Sequence, residues 1–416
     1  MRRSVGNGDG WRRYDAAMST PSIPGFVESP EAVRSFRRRL LGFFDSEARD
    51  LPWRRTSDPY AIWVSEIMAQ QTRVETAVPY YRRWLERYPD VHALAAAPID
   101  AVLKSWEGLG YYSRARNLHR AARIVAETLG GRVPDTVDGL RALPGIGEYA
   151  SGAIASIAFD RPAPAVDGNV RRVFARLHDD PSPTGSGVRD WAQRVVDPGR
   201  PGDFNQALME LGATVCTPRR PDCGSCPVAD FCRARMAGTA EVRPAPKART
   251  KVKSEVRLVA VFIDDSADER HLLMRRRPDE GLLAGMWEFP SRVAAARVGR
   301  RATMEALDAL ARAHGVPVGK ALAERALPRP LEPVLHKFSH LHVEYRPWVV
   351  STAGLDGSEP AQGPDLAAGS TRAERPTLVR WISATAVEEL ALPVAQQRIV
   401  TSALRPFTAG ADPRAG

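Results

Sequence analysis

The stretch Leu143–Ser156, LPGIGEYASGAIAS, sets a glycine on either side of one isoleucine. A proline stands before them, and a run of small residues at helical spacing follows. Glycine reaches positive φ without a Cβ clash, so Pro144–Gly147 predicts a sharp turn between two helices. Stripped of side chains, such a turn exposes backbone N–H groups beside the N-terminus of the next helix, an arrangement that binds phosphate. Leu143 before the turn, and Ala150, Ala153 and Ile154 after it, allow the two helices to pack closely. A lone G-x-G is most often an ordinary helix–helix turn, so its meaning depends on its surroundings. Further along stands an acidic residue, Asp167, in PAVDGNVRRV.

The chain has 416 residues, enough for two cored domains and some tails. Its 59 Lys+Arg against 49 Asp+Glu give a formal charge of +10. That balance favours a polyanionic partner such as DNA, RNA or an anionic membrane surface. No apolar run reaches the length of about 18 residues that a membrane span needs. The N-terminal MRRSVGNGDGWRRYDAAMST is basic without an apolar core, so it is not a secretory signal; residues 1–29 are expected to be a disordered tail, with Met18 as an alternative start. All four cysteines fall between Cys216 and Cys232. A secreted protein spreads its cysteines to staple distant segments, so this crowding points to a metal site in a reducing cytoplasm.

Residues 30–235 read as mostly helical, in segments such as EAVRSFRRRLLGFF, PYAIWVSEIMAQQT, AVPYYRRWLERY and SRARNLHRAARIVAETLG, broken by Pro or Gly. The Pro-, Ala- and Lys-rich stretch over 236–255 predicts a linker. Beyond it, VRLVAVFI, HLLMRRR, MWEFP, LHVEYRPWVV and TLVRWIS are short β-type runs around one helical stretch, RATMEALDALARAHG. A second, α+β domain is therefore expected over 256–407, with a long loop from Ser351 to Pro376 and a tail over 408–416.

Two carboxylates stand out. In PYAIWVSEIMAQQT, Glu66 has Ile62, Trp63, Ala69 and Gln70 as its turn neighbours, and no Lys or Arg to pair with. A glutamate on a helix apolar nearly all round is desolvated, which raises its pKa and lets it carry a proton near neutral pH as a general acid must. Asp167 precedes NVRRVFARL, where Val170, Val173, Phe174 and Leu177 repeat at helical spacing. Asp167 or Asn169 is thus expected at a helix N-terminus, where the dipole favours an anion. Alone it is an N-cap. With Glu66 it forms a pair, one carboxyl protonated and one ionised, as cleavage through an oxocarbenium-like state requires.

Cys216, Cys223, Cys226 and Cys232 follow a C-x6-C-x2-C-x5-C spacing. Four thiolates so close enclose either a tetrahedral zinc or a 4Fe–4S cluster.

Together LPWR, VSEIMAQQT, GLGYYSRARNL, LPGIGEYASGAI, VDGNVRRV, FNQALMELGATVC and the cysteine loop, in this order, resemble the MutY-type adenine DNA glycosylases of the endonuclease III superfamily. The resemblance is tight over Leu51–Cys232 and looser beyond. It implies an all-α helix-hairpin-helix glycosylase domain with the hairpin at 143–147 and an iron–sulfur loop at 216–232, followed by an α+β Nudix-like domain. It implies a 4Fe–4S cluster on the four cysteines, with a structural role. Arg219, Arg220 and Arg233 around it would offer positive charge to DNA. The activity implied is removal of adenine mispaired with 8-oxoguanine or guanine, by a monomer acting on double-stranded DNA in the cytoplasm, leaving an abasic site. Glu66 matches the acid that protonates adenine N7, and Asp167 the carboxylate that supports the sugar cation. Tyr149 and Asn169 match assisting groups. Gln71 and Tyr111 match residues that fill or wedge the duplex, while Gly145 and Gly147 match the backbone clamp. Arg49, Leu51, Trp53, Gln206 and Glu210 fall where the family lines its adenine pocket. RRRPDEGLLAGMWEFP looks Nudix-like, but Ala309, Arg312 and Ala313 stand where magnesium-binding carboxylates are needed, so no hydrolase chemistry is expected there. KFSHLHVEY is the expected reading loop, with Phe338, Ser339 and His340 meeting 8-oxoguanine.

Two rival functions compete for the same motifs. An endonuclease III-like lyase needs an amine nucleophile for a Schiff base. The matching position is Tyr149, and Lys104 is the only lysine before Lys247. A non-catalytic DNA-binding or redox-sensing protein leaves the setting of Glu66 and Asp167 unexplained.

Overall fold

The computed structural model describes residues 29–246, 252–265, 269–316, 328–352 and 378–405. The expected terminal tails (Ser29 apart), Met18 and most of the Ser351–Pro376 loop lie outside them. The chain divides into two compact units, Met1–Arg49 with Ala155–Pro246, and Asp50–Ile154 with Lys247–Gly416. This division differs from the linear boundaries expected at 236 and 256. The reason is that the first helix packs with the later helical segments of the chain rather than with its neighbours in sequence.

In the first unit, α1 (Pro30–Glu47) is opened by Ser29, whose hydroxyl accepts from Ala32 N at 3.1 Å. It packs on α11 (Pro201–Thr214), with α9 (Gly168–Leu177) and α10 (Gly185–Val195) completing the core. Phe36 sits at the centre, its ring edge-on to Trp191, Phe204 and Phe231 at 6.3, 6.2 and 5.8 Å. Aromatic pairs favour such edge-to-face contacts. A short helix α12 (Arg233–Met236) follows the cysteine loop. The stretch expected as linker carries a 3-10 turn at Ala240–Val242 and the first residues of a strand.

The second unit contains α2 (Pro59–Ala69), α3 (Val74–Arg87), α4 (Val91–Ala96), α5 (Ile99–Ser105), α6 (Ser113–Thr128) and α7 (Val137–Arg141). Helix α8 (Glu148–Phe159) begins in this unit and ends in the other. Helix α2 starts at Asp58, whose carboxylate accepts from Tyr60 N and Ala61 N, with Pro59 at the first helical position. Every residue from Tyr60 to Met68 is buried, so α2 is a core helix with no wet face.

The same unit holds a mixed sheet: β1 (Lys253–Asp264), β2 (His271–Arg276), β3 (Trp287–Glu288), β4 (Ser291–Ala294), β5 (Arg329–Pro330), β6 (Val334–Lys337), β7 (Leu341–Ser351) and β8 (Val379–Ser383). Its main order is β3-β2-β1-β7-β5, with β4, β6 and β8 pairing β1, β7 and β2. Strands β1 and β7 run parallel from Lys253↔Leu341 to Ile263↔Ser351. Alternate residues of β1 enter two cores. Val259, Val261 and Ile263 meet α14 (Val394–Leu404), while Leu258, Ala260 and Phe262 meet α13 (Arg300–Ala313). Burial on both faces explains why β1 reads as an unbroken apolar run. Helix α14 and strands β4–β6 went unforeseen in the sequence.

This sheet domain rests on the α5–α6 segment of its own unit. Arg116 donates to Ala284 O at 2.6 Å, and Leu392 N donates to the Glu107 carboxylate at 3.0 Å.

Candidate active site

Glu66 sits on α2 with 7% of its surface exposed. The Tyr149 hydroxyl, in the first turn of α8, donates to its Oε2 at 2.6 Å. The position where a lyase carries its amine thus holds a phenol already engaged with the carboxyl group. Lys104 is committed elsewhere, donating to Glu107 Oε2 at 2.8 Å.

The turn before α8 has the expected shape, but its two glycines play different parts. Gly145 has φ +81°, and a Cβ there would lie 2.5 Å from Asn117 Cβ on α6, so both conformation and close approach demand glycine. Gly147 has no heavy atom within 4 Å of a would-be Cβ. It is open ground, as a backbone clamp on phosphate needs. Leu143 and Ile146 are buried and anchor the turn.

In the other unit Asp167 caps α9. Its Oδ1 accepts from Val170 N and its Oδ2 from Asn169 Nδ2, each at 2.7 Å. Burial raises its pKa above its ordinary value of 3.8, opposed by those hydrogen bonds and by Arg172. This corrects the expectation that the helix N-terminus governs. Desolvation outweighs the cap, so Asp167 is a carboxylate held at a cost.

A chain of hydrogen bonds leads on from it. Asn169 Oδ1 accepts from Arg172 at 2.9 Å, and Arg172 also donates to Cys216 O at 2.9 Å and Gly212 O at 2.7 Å. Arg176, fully buried, donates to Cys216 Sγ at 3.2 Å and Thr217 O at 2.7 Å. The first cysteine is therefore tied to the helix that Asp167 caps. Burial pushes the Cys226 thiol up to about 12, with Cys216, Cys232 and Cys223 adding to the shift. Four thiols facing one another in a partly buried loop fit a cationic group that would stabilise them as thiolates. Among the described residues, no three His, Cys, Asp or Glu side chains are arranged to hold a single ion. A cubane cluster makes no such demand, because each cysteine binds its own iron. Arg219 and Arg220 beside the loop are exposed, and Arg233 is partly so.

Of the expected adenine-pocket residues, Arg49 and Glu210 meet directly. The guanidinium grips the buried carboxylate in two hydrogen bonds of 2.7 and 2.8 Å. Gln206 lies one turn earlier on α11 and is also buried. Leu51 and Trp53 belong to the other unit, where both are buried and Trp53 meets Tyr81 edge-on at 5.3 Å. Gln71 and Tyr111 are exposed, with φ of 56° and 46°. The expected reading loop is a tight hairpin turn between β6 and β7. Phe338 N donates to Leu341 O at 2.8 Å, Phe338 leans on the domain core, and Ser339 and His340 project outward. On α13, Arg312 is exposed and pairs with Asp308, and Ala313 is exposed.

Profiles of known families match three segments: the HhH-GPD superfamily of base excision DNA repair proteins over residues 64–198, the iron–sulfur binding domain of endonuclease III over 216–232, and the NUDIX domain over 259–402. An adenine DNA glycosylase of Rattus norvegicus is 39% identical over 84% of this chain and 76% of its own length. One of Homo sapiens is 39% identical over 79% of this chain and 68% of its own. The chain belongs to the adenine DNA glycosylase family. A solved thermostable thymine-DNA glycosylase is 30% identical, with a TM-score of 0.47, over 49% of this chain and 97% of its own. This adenine DNA glycosylase is thus a hydrolase of N-glycosyl bonds in base excision repair, with an iron–sulfur binding domain on its four cysteines. No helix among the described residues is long and apolar enough to cross a membrane.

Several residues that hold the segments of the candidate site escaped notice in the sequence. Arg114, Arg172, Arg176 and Asn205 act mainly on backbone carbonyls or on polar atoms remote in sequence. The motifs GLGYYSRARNL, VDGNVRRV and FNQALMELGATVC contain Arg114, Arg172 and Asn205, but none of them contains Arg176.

Proposed function

We propose that this glycosylase removes adenine paired with 8-oxoguanine or guanine from double-stranded DNA, with Glu66 as general acid and Asp167 as the carboxylate that supports the sugar cation. The observation that carries the assignment is the 2.6 Å hydrogen bond from Tyr149 to the buried Glu66. It orients the buried carboxyl, and it puts a phenol where a lyase needs an amine. Adenine leaves the stack at a cost of a few kcal/mol, lower for a mispair. Glu66 delivers a proton to adenine N7 and the C1′–N9 bond breaks. Glu66, now a carboxylate, takes a proton from the water that attacks C1′, leaving an abasic site and free adenine. Asn169 holds Asp167 in place throughout, and Tyr149 holds Glu66.

Arg49, Leu51, Trp53, Gln206 and Glu210 are assigned to the adenine pocket, Gln71 and Tyr111 to the duplex, and the Gly145–Gly147 backbone to a phosphate. Phe338, Ser339 and His340 read the opposing 8-oxoguanine, and the Nudix-like domain does no hydrolysis of its own. Cys216, Cys223, Cys226 and Cys232 would hold a 4Fe–4S cluster, which supplies structural cross-linking of the loop. The enzyme acts as a monomer in the cytoplasm.

Glu66→Gln is expected to bind an adenine:8-oxoguanine duplex normally while single-turnover excision falls by about two to four orders of magnitude, the usual worth of a general acid. Near-wild-type excision would sink the assignment. Borohydride should trap no covalent complex; efficient trapping lost on replacing Lys104 would restore the lyase.

A further inference from the structure

We propose that Arg114 is a positioning residue that locks the two duplex-probing residues, Gln71 and Tyr111, into one rigid unit; this rests on the assignment of those two residues to DNA.

Both residues hold left-handed backbone, Gln71 at φ 56° and Tyr111 at φ 46°. Side-chain-bearing residues enter that region only when their surroundings over-determine it. Both side chains are exposed, so their own packing does not hold them there. Arg114 does. On one side its guanidinium donates to Ile67 O at 2.9 Å, to Met68 O at 3.0 Å and to Gln70 O, the carbonyls at the end of α2. It also donates to Thr72 Oγ1 at 3.1 Å. Gln71 is thus bracketed by Gln70 and Thr72. On the other side Arg114 donates to Leu109 O at 3.1 Å and Gly110 O at 3.3 Å, the two carbonyls before Tyr111. Its guanidinium carbon stands 5.6 Å from the Tyr111 ring and 5.3 Å from the Trp106 ring, within cation–π range.

The neighbours leave the Tyr111 loop no slack. Trp106 Nε1 donates to Gly110 O at 3.0 Å, and Tyr80 Oη to Glu107 O at 2.6 Å. A Cβ on Gly108 would strike the Tyr80 hydroxyl at 2.4 Å. Burial lowers the Arg114 pKa to about 10, which leaves it charged at neutral pH. The role needs a planar, forked donor that reaches carbonyls on two segments at once. A lysine ammonium keeps the charge but has three donors at one point and cannot span both.

The test is single-turnover excision by the full-length cluster-bearing enzyme on an adenine:8-oxoguanine duplex. Arg114→Lys is compared with wild type, and again in a background carrying Gln71→Ala and Tyr111→Ala. Residues that act as one unit are non-additive, whereas an independent structural defect adds. Arg114→Lys is expected to slow excision about ten- to a hundredfold in the wild-type background and within about twofold in the double-alanine background. An equal loss in both backgrounds, or none in either, overturns the proposal. If Gln71→Ala with Tyr111→Ala excises like wild type, the assignment of those residues to DNA fails instead, and the inference falls with it. Should Arg114→Lys not fold, Thr72→Val removes one of the hydrogen bonds alone, and the same rule decides with a smaller loss.

Discussion

Asp167 shows how a single side chain divides stability from activity. Its carboxyl is raised above its ordinary value, mainly by burial. The native state therefore binds that proton more tightly than the unfolded chain, and the ionised form costs stability above the folded pKa and nothing well below 3.8. Asp167→Asn keeps an N-cap acceptor for Val170 N and loses the hydrogen bond from Asn169, while a buried charge disappears. We expect a melting temperature within a few degrees of wild type at neutral pH. The variant should lose ground to wild type as pH falls toward 3.8, because the wild-type penalty is then relieved. Excision should drop by about two to three orders of magnitude, as when a group aimed at transition-state charge is removed. A stability difference that does not change with pH would mean burial does not govern this carboxyl. His178 runs the other way. Burial in contact with Phe174 and Trp191 lowers it to about 4, so its contribution is lost as pH falls below 6.5. Replacing it with Phe should flatten the acid limb of the stability profile between pH 6.5 and about 4, read from melting temperatures.

At the scale of elements, α9 and α11 touch through a missing side chain. A Cβ on Gly212 would lie 2.5 Å from Asn169 Cβ and 3.1 Å from its Cα. Backbone cannot step aside as a flexible side-chain tip does, so Gly212→Ala must move one helix against the other. Overpacking of this kind costs about 1–3 kcal/mol. Asn169 holds Asp167, so excision should fall at least about tenfold. Gly42 on α1 is the control, since nothing lies within 4 Å of its would-be Cβ. Gly42→Ala should stabilise by about 0.5–1 kcal/mol with excision unchanged. Equal melting temperatures and rates for the two variants would show that the α9–α11 approach is not tight in solution.

At the scale of the whole molecule, the proposed role of the sheet domain is to add specificity to an acid that lies outside it. Glu66, Tyr149, Asp167 and the cysteine loop all precede Lys247. Ending the chain before β1 should leave the iron–sulfur absorbance in place and reduce the preference for adenine opposite 8-oxoguanine over adenine opposite guanine. Ser339→Ala should reduce it only modestly, since one polar contact is worth ~1–3 kcal/mol. The truncated chain should also melt earlier, because Arg116, Glu107 and Asp100 lose the partners Ala284, Leu392 and Arg276. The measurement is excision on both duplexes at one stated salt concentration, as phosphate contacts make affinities salt-dependent. Unchanged discrimination would remove the domain from lesion reading.

What the sequence determined alone was local in range. The apolar residues around Glu66 on α2 marked it as a desolvated carboxyl, Asp167 declared itself as a cap three residues before Val170, and C-x6-C-x2-C-x5-C marked the cluster loop. Each is a relation among neighbours, whose distances the helix or loop geometry already sets. The tertiary structure decided the rest. Arg114, Arg172 and Arg176 are three among 59 basic residues, and many of their partners are carbonyls about 40 or more positions away. A backbone carbonyl is the same at every residue and leaves no trace in the sequence. The direction of the Asp167 shift was likewise out of reach, because desolvation is set by what the fold packs around a group and not by the residues beside it in the chain.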